Sequence, residues 1–136
     1  MRDGRLDIAV SGFGSLDREH NVQLELLAAY RIIIEDPASC AKRSELLEQL
    51  HDYTKAHFAS EELLMRLYSY PRYQEHVADH QLALIQIEAL RAADDTQAAN
   101  GAIAAADDLV DSLCDHIVGA DRALGQFIIR LGVGPG

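Results

Sequence analysis

The chain has few of the residue types that build disulfide-rich, aromatic or β-sheet domains. Among its 136 residues there is no tryptophan, only three are proline, and aromatic side chains make up 6%. The two cysteines, Cys40 and Cys114, lie far apart and form neither a CxxC motif nor a zinc-ribbon spacing. Isolated thiols of this kind suit a reducing cytoplasm. The abundance of alanine and leucine beside so few aromatic residues favours helix over strand.

Positive charge is also scarce. The chain has 12 lysines and arginines against 22 aspartates and glutamates, which gives a net charge of −10 at pH 7. An acidic surface argues against nucleic acid or an anionic membrane as a partner. There is no recognisable signal peptide and no apolar run long enough to span a membrane, so we expect a cytoplasmic protein. A hydrophobic content of 49% is enough for the core of a single domain over residues 1–136.

Apolar residues recur at intervals of three and four, which predicts four long helices. The four predicted helices cover about 17–35, 41–67, 71–93 and 102–118. Asp17 is the predicted N-cap of the first, and Gly119 is the predicted end of the fourth. Short connections between long helices predict an all-α fold, an antiparallel up-down-up-down four-helix bundle.

Three further segments complete the predicted domain. Residues 1–16 are rich in glycine and predict an extended N-terminal arm. A short C-terminal helix over about 122–131 closes a helical bundle that we place at 17–131. Residues 132–136 form a tail.

The stretch from His57 to Glu61 places an imidazole and a carboxylate four residues apart on one face of the second helix. Both residues fall on its apolar stripe, where polar groups are costly to bury. His76 and His80 repeat the four-residue spacing on the apolar stripe of the third helix. Antiparallel packing brings the two pairs to the same level, because each lies close to the connection between these helices.

Two other helices contribute to the same end of the predicted bundle. His20 lies near the start of the first helix and His116 near the end of the fourth, and Asp121 follows shortly after. We therefore predict that seven side chains converge on one metal site: His20, His57, Glu61, His76, His80, His116 and Asp121.

Each of these motifs taken alone has an ordinary structural explanation. A lone His-x-x-x-His pair usually faces solvent, and a lone histidine on an apolar face is usually a hydrogen-bonded core residue. Five buried imidazoles and two carboxylates together would cost many kcal/mol without a cation. Imidazole suits iron, zinc or copper, and seven ligands are too many for one tetrahedral zinc but fit two ions that share bridging carboxylates.

Two other classes of metal site fit the pattern less well. Ferritin-like di-metal sites need two Glu-x-x-His motifs, whereas this chain has that form only at Glu48 and His51. His51 lies off the ligand stripe, and we interpret it as a surface residue. The HExxH motif of zinc proteases is absent.

The sequence resembles the hemerythrin family in its bacterial form. The matching segments are Asp17-Arg18-Glu19-His20, His57-Phe58-Ala59-Ser60-Glu61-Glu62, His76-x-x-x-His80 and His116-Ile117-x-x-x-Asp121. The resemblance covers about residues 13–130 and includes all seven ligand positions in order and spacing.

The resemblance implies two iron ions in a non-haem di-iron centre with an oxo or hydroxo bridge. One iron would take His76, His80 and His116. The other would take His20 and His57 and keep an open coordination position. Glu61 and Asp121 would bridge the pair. Proteins similar to this bind O2 reversibly at the open iron, so the resemblance implies a binding protein and not an enzyme.

The residues expected around the ligand depart from the family pattern in two places. Gln23 stands where the family usually has an apolar residue, and Ser112 stands where it often has tryptophan. We predict a ligand pocket lined by Gln23, Leu24, Phe58, Ser112, Leu113 and Ile117. One interpretation is that another side chain fills the space that these two residues leave. The alternative is a wetter pocket, which predicts faster oxidation of the oxygenated form, and a third is that Gln23 donates a hydrogen bond to a bound ligand.

The leading hypothesis is an O2 carrier, an O2 store or an O2 or redox sensor, whose ligand is O2 or another small diatomic or anionic molecule. A sensor would act through a signalling partner or a fused output domain. One alternative is a di-iron redox enzyme, such as a peroxidase, an oxidase or a nitric-oxide-handling protein. Another is a protein of iron homeostasis.

Overall fold

Four helices pack in the order in which they occur along the chain. The computed structural model describes residues 14–95 and 99–132, and these ranges contain no strand. The helices are α1 (Gly14–Ile33), α2 (Cys40–Leu67), α3 (Tyr73–Asp95) and α4 (Ala99–His116). Each helix packs on the next, and α4 also contacts α1. The predicted all-α four-helix bundle is confirmed, and none of the described helices is both long and apolar enough to cross a membrane.

The start of α1 differs from the prediction. The helix begins at Gly14, so Asp17 lies inside it and does not cap it. Glycine lowers helix stability by about 1 kcal/mol relative to alanine, but it does not exclude a residue from the first turn. Residues 14–16 are therefore helical and do not belong to an extended arm. The rest of the predicted arm, 1–13, and residues 133–136 of the predicted tail lie outside the described residues.

Short, hydrogen-bonded connections explain why neighbouring helices run antiparallel. Between α1 and α2, the carboxylate of Asp36 accepts a hydrogen bond from the Ala38 backbone N–H at 2.9 Å and caps a 3-10 turn over Pro37–Ser39. Between α2 and α3, Ser69 adopts a φ of 52°, and the next N–H, from Tyr70, returns to the Met65 carbonyl at 2.9 Å.

The core stripe on α1 includes a tyrosine. Tyr30 is completely buried between the levels of Leu27 and Ile34, whereas the neighbouring Arg31 is partly exposed. A three-residue step from Leu27 to Tyr30 keeps the large aromatic side chain in the core and leaves the guanidinium to pair with Asp107.

A buried polar network ties α1, α2 and α3 together at one end of the bundle. The Arg43 guanidinium donates from Nε to Asp94 Oδ1 at 2.8 Å, and the Tyr30 hydroxyl donates to the same oxygen at 2.7 Å. Arg43 Nη1 also donates to Ser39 Oγ and to the Asp36 carbonyl. We call Tyr30, Ser39, Arg43 and Asp94 the arginine clamp.

At the other end of the bundle, α4 does not stop at Gly119 as predicted. It continues through a π-helical turn, Ile117–Asp121, into α5 (Arg122–Arg130). A Cβ at Gly119 would meet no atom within 4 Å, so this glycine is not required by a close contact. The predicted short C-terminal helix is present, but it is a direct extension of α4. Its apolar face packs Leu124 and Ile128 against Met65 and Tyr70 at the connection between α2 and α3.

Candidate metal centre

The four bundle helices and the π-helical turn after α4 bring all seven predicted ligands to one place. Their ligand atoms form two groups, and within each group all atoms lie within 4.8 Å of one another. One group contains Glu61, His76, His80, His116 and Asp121. The other contains His20, His57, Glu61 and Asp121. We call them the three-histidine group and the two-histidine group, and both carboxylates belong to both groups.

In the three-histidine group, every imidazole turns its Nε2 toward Glu61 Oε1, toward Asp121 Oδ1 or toward both. Glu61 Oε1 lies 3.0 Å from His76 Nε2 and 2.9 Å from His80 Nε2. Asp121 Oδ1 lies 2.8 Å from His76 Nε2 and 2.9 Å from His116 Nε2. Three nitrogens and two oxygens therefore point into the same small volume.

The two-histidine group uses the other oxygen of each carboxylate. Glu61 Oε2 lies 2.7 Å from His57 Nε2 and 3.3 Å from His20 Nε2. Asp121 Oδ2 lies 2.8 Å from His20 Nε2. Glu61 and Asp121 thus each place one oxygen in each group, which is the arrangement of two carboxylates that bridge two neighbouring cations.

Several of these short contacts are not directed as hydrogen bonds. Within the described residues, neither His116 Nε2 nor either oxygen of Asp121 has a hydrogen-bond partner of acceptable geometry. Asp121 is completely buried, and buried polar atoms are normally satisfied. Lone pairs that converge on a common point without meeting a donor are what a bound cation requires, so the donor set fits metal ions.

Without a bound cation, the carboxylates change the protonation of their neighbours. Burial would lower the pKa of His20 and of His76, but contact with Asp121 and Glu61 raises both pKa values to about 9. Burial would raise the pKa of Glu61, but the surrounding imidazoles hold it well below its ordinary value. Metal ions and protons therefore compete for the same nitrogen atoms.

Two carboxylates outside the ligand set contact the outer nitrogens of the three-histidine group. Glu62 Oε2 lies 2.9 Å from His80 Nδ1 in hydrogen-bond geometry, and Asp79 Oδ2 lies 3.6 Å from His116 Nδ1. A carboxylate at Nδ1 fixes the tautomer that leaves the Nε2 lone pair for a metal. The Phe58 ring stacks on His80 at a centroid distance of 3.8 Å and fixes the plane of this imidazole.

The π-helical turn explains how His116 and Asp121 reach the same site. In a regular α-helix, residues five apart point about 140° away from each other. A π-helical turn closes an i→i+5 hydrogen bond and brings such residues onto nearly the same face. The signal was visible in the sequence: His116 and Asp121 are five positions apart, whereas residues on one face of an α-helix are three or four apart. A helix break at Gly119 was nevertheless predicted in its place.

The predicted pocket residues do not all line one cavity. Leu24, Phe58, Leu113 and Ile117 are buried in the core of the bundle, and Gln23 is 1% exposed. The partly buried Ser112 lies with Leu113 and His116 along a surface cleft of about 270 Å³. Gln23 and Ser112 therefore lie beside different halves of the site.

Sequence reasoning missed the side chain that pairs with Gln23. The Gln23 amide donates from Nε2 to Thr54 Oγ1 at 3.0 Å, and Thr54 is completely buried. Thr54 lies on the same stripe as His57 and Glu61, which was the available signal. The side chain of His51 contacts Asp52 and Glu88 at the bundle surface, as predicted.

Comparison with known proteins gives one family match. The model described as Hemerythrin, "Hemerythrin HHE cation binding domain", matches residues 11–128. No curated protein and no solved structure matches the chain. The matched range contains all seven side chains of the two groups.

Proposed function

Since the chain belongs to the hemerythrin family, we propose that it holds two iron ions and binds O2 reversibly at one of them. The family match supports cation binding. We propose in addition that the metal is iron, that two ions are bound and that the ligand is O2.

The division of the carboxylate oxygens is the observation that supports two ions most directly. Oε1 of Glu61 lies among the imidazoles of His76 and His80, whereas Oε2 lies beside His57. Asp121 divides its oxygens in the same way. A single ion would need only one oxygen from each carboxylate.

The two groups differ in the number of donors that they offer. The three-histidine group supplies three nitrogens and two oxygens, and the two-histidine group supplies two nitrogens and two oxygens. First-row ions with mixed nitrogen and oxygen ligands accept up to about six donors, so the two-histidine group leaves more positions for an exogenous ligand. We place O2 binding there. Two ferrous ions held by these residues would supply the two electrons for reversible O2 binding.

The ligand set favours iron over zinc or copper. Structural zinc is normally tetrahedral, and copper prefers square-planar sites, whereas the combination of imidazoles with shared carboxylates is typical of paired iron. The side chains of this protein bind and orient the ions, and the bundle core excludes water from them. Leu24, Leu113 and Ile117 form part of that apolar surrounding.

We further propose that the protein is an O2 carrier, store or sensor and not an enzyme, because O2 binding at such a centre needs no separate acid or base. A sensing role has a structural route. Asp121 is directly followed by α5, so a change at the metal centre reaches the C-terminal helix through a continuous backbone.

Iron content and absorption spectra test the proposal together. We expect the purified and ferrous-reconstituted protein to contain about two irons per chain, and the oxidised form to show the near-ultraviolet bands of an oxo-bridged ferric pair. The reduced protein should take up O2 stoichiometrically and release it under vacuum. One ion per chain, or a preference for zinc under iron-replete conditions, would contradict the di-iron assignment.

The same iron-loaded protein distinguishes a redox enzyme from an O2-binding protein. Continuous consumption of O2 or peroxide with an electron donor would make the protein a redox enzyme. Stoichiometric, reversible uptake without turnover would support a binding protein.

A further inference from the structure

A buried polar pair lies beside the two-histidine group, and neither of its residues lines the surface cleft along Ser112. Gln23 is one helical turn after His20 on α1, and Thr54 is one turn before His57 on α2. The pair is therefore about 5 Å deeper in the bundle than these two histidines. It bridges the same two helices that carry them, with a hydrogen bond of 3.0 Å from Gln23 Nε2 to Thr54 Oγ1.

The pair has hydrogen-bonding capacity that this bond does not use. A primary amide carries two N–H donors, and a threonine hydroxyl that accepts one bond still has its own proton to donate. Among the described residues, the structure gives neither side chain a second hydrogen-bond partner. Gln23 and Thr54 are 1% and 0% exposed, so bulk water does not satisfy these donors.

We propose that Gln23 and Thr54 form a donor subsite that favours small anionic ligands at the two-histidine group over uncharged ones. The inference rests on the proposed function, because it needs an ion with an open position at this group. The ligand class is a small anion that accepts hydrogen bonds, for which azide is the probe. The second amide N–H and the threonine hydroxyl then gain an acceptor when the ligand binds.

The chemistry of the site explains the selectivity. Hydrogen bonds to charged acceptors are stronger than neutral ones, and they strengthen further where water is excluded. A site that offers buried donors discriminates against ligands that leave those donors unpaired. A protein with an apolar side chain at position 23 would lack this preference for anionic over uncharged ligands.

The test measures azide binding to the iron-loaded, oxidised protein by optical titration. We expect Gln23→Leu to weaken azide binding by about tenfold while the iron content stays at the wild-type value. Thr54→Val keeps the shape of the side chain and removes the hydroxyl, so we expect a smaller loss of about three- to fivefold. Nitric oxide, an uncharged diatomic, is titrated into the reduced form, and its affinity should change less than about threefold in either variant.

Tyr30→Phe is the matched control. It removes a buried side-chain hydrogen bond from the same helix, two turns further along and at the arginine clamp. Its azide affinity should equal that of the wild type. Any loss in this variant would show that azide binding follows general stability and not the donor pair.

The outcomes separate the subsite from the proposed function. Failure of the wild-type protein to bind iron would remove the proposed function itself, whereas failure of the iron-loaded protein to bind azide would overturn the inference alone. Normal iron and azide binding in Gln23→Leu and Thr54→Val would leave the pair a structural link between α1 and α2 and overturn the inference. Equal losses of affinity for azide and nitric oxide would assign the effect to pocket shape and would overturn the inference. Loss of iron from both variants would assign the pair to metal retention, which also overturns it.

Discussion

The two ends of the bundle each bury a polar network, but only one of the networks is complete. In the arginine clamp, one guanidinium meets one carboxylate, and Tyr30 and Ser39 supply the remaining partners. In the metal centre, five imidazoles surround two carboxylates, and the Asp121 oxygens lack hydrogen-bond partners within the described residues. A buried polar set that satisfies its own hydrogen bonds is structural, whereas a set that leaves its oxygens without donors has the chemistry of a cation site.

Glu61→Ala should have the largest effect, and this effect should be confined to the metal centre. The substitution removes an oxygen from each group, so we expect the iron content to fall from about two to below one per chain. Elemental analysis of the folded protein measures this. The control is Glu48→Ala, which removes an exposed glutamate from the same helix and should retain both ions. Full iron occupancy in Glu61→Ala would refute the bridging role.

Asp94→Ala should break the other network. It leaves the Arg43 guanidinium buried without its carboxylate, and the loss of one partner of a buried ion pair costs about 3–5 kcal/mol in the free energy of unfolding. Denaturant unfolding measures the loss, and Asp95→Ala, at an exposed neighbouring position, should change it by less than about 0.5 kcal/mol. Iron per folded chain should remain at the wild-type value, and a selective loss of iron would end the distinction between the two networks.

Glu62→Ala should weaken the metal centre without removing a ligand. Its carboxylate holds His80 Nδ1 at 2.9 Å, and loss of such an outer partner lowers metal affinity by about 10- to 100-fold. Competition with a chelator measures the affinity. Glu45→Ala, another exposed position on α2, is the matched control. An unchanged affinity in Glu62→Ala would show that helix packing alone orients His80.

Tyr30→Phe should weaken the arginine clamp but leave the contact between Arg43 and Asp94 in place. The substitution removes the 2.7 Å hydrogen bond to Asp94 while the Arg43 contact remains. We expect a loss of about 1–2 kcal/mol in the free energy of unfolding, because the acceptor is charged and keeps one partner. A loss as large as that of Asp94→Ala would mean that the hydroxyl, and not the ion pair, holds this end together.

His51→Ala should have the smallest effect of all. His51 lies on the same helix as His57, but its partners Asp52 and Glu88 are exposed. The free energy of unfolding should change by less than about 0.5 kcal/mol, and iron content should not change. A loss of iron would place His51 in the metal site, contrary to its position in the bundle.

The sequence predicted the bundle well because its apolar stripes are long and regular. Intervals of three and four from Leu47 to Glu61 on α2 and from His76 to Leu90 on α3 were sufficient to place these residues inside. The arginine clamp was not predicted. Arg43 and Asp94 lie 51 positions apart, and a charged residue in a helix normally faces solvent.

The sequence alone determined which side chains face inward, because the helical period is a local property that needs no knowledge of the partner helix. It could not determine which carboxylate oxygen faces which imidazole, or that a π-helical turn would carry α4 past Gly119. Nor could it pair Gln23 with Thr54 across two helices. Those features depend on how neighbouring helices pack, and only the tertiary structure decides distances between residues that are far apart in the chain.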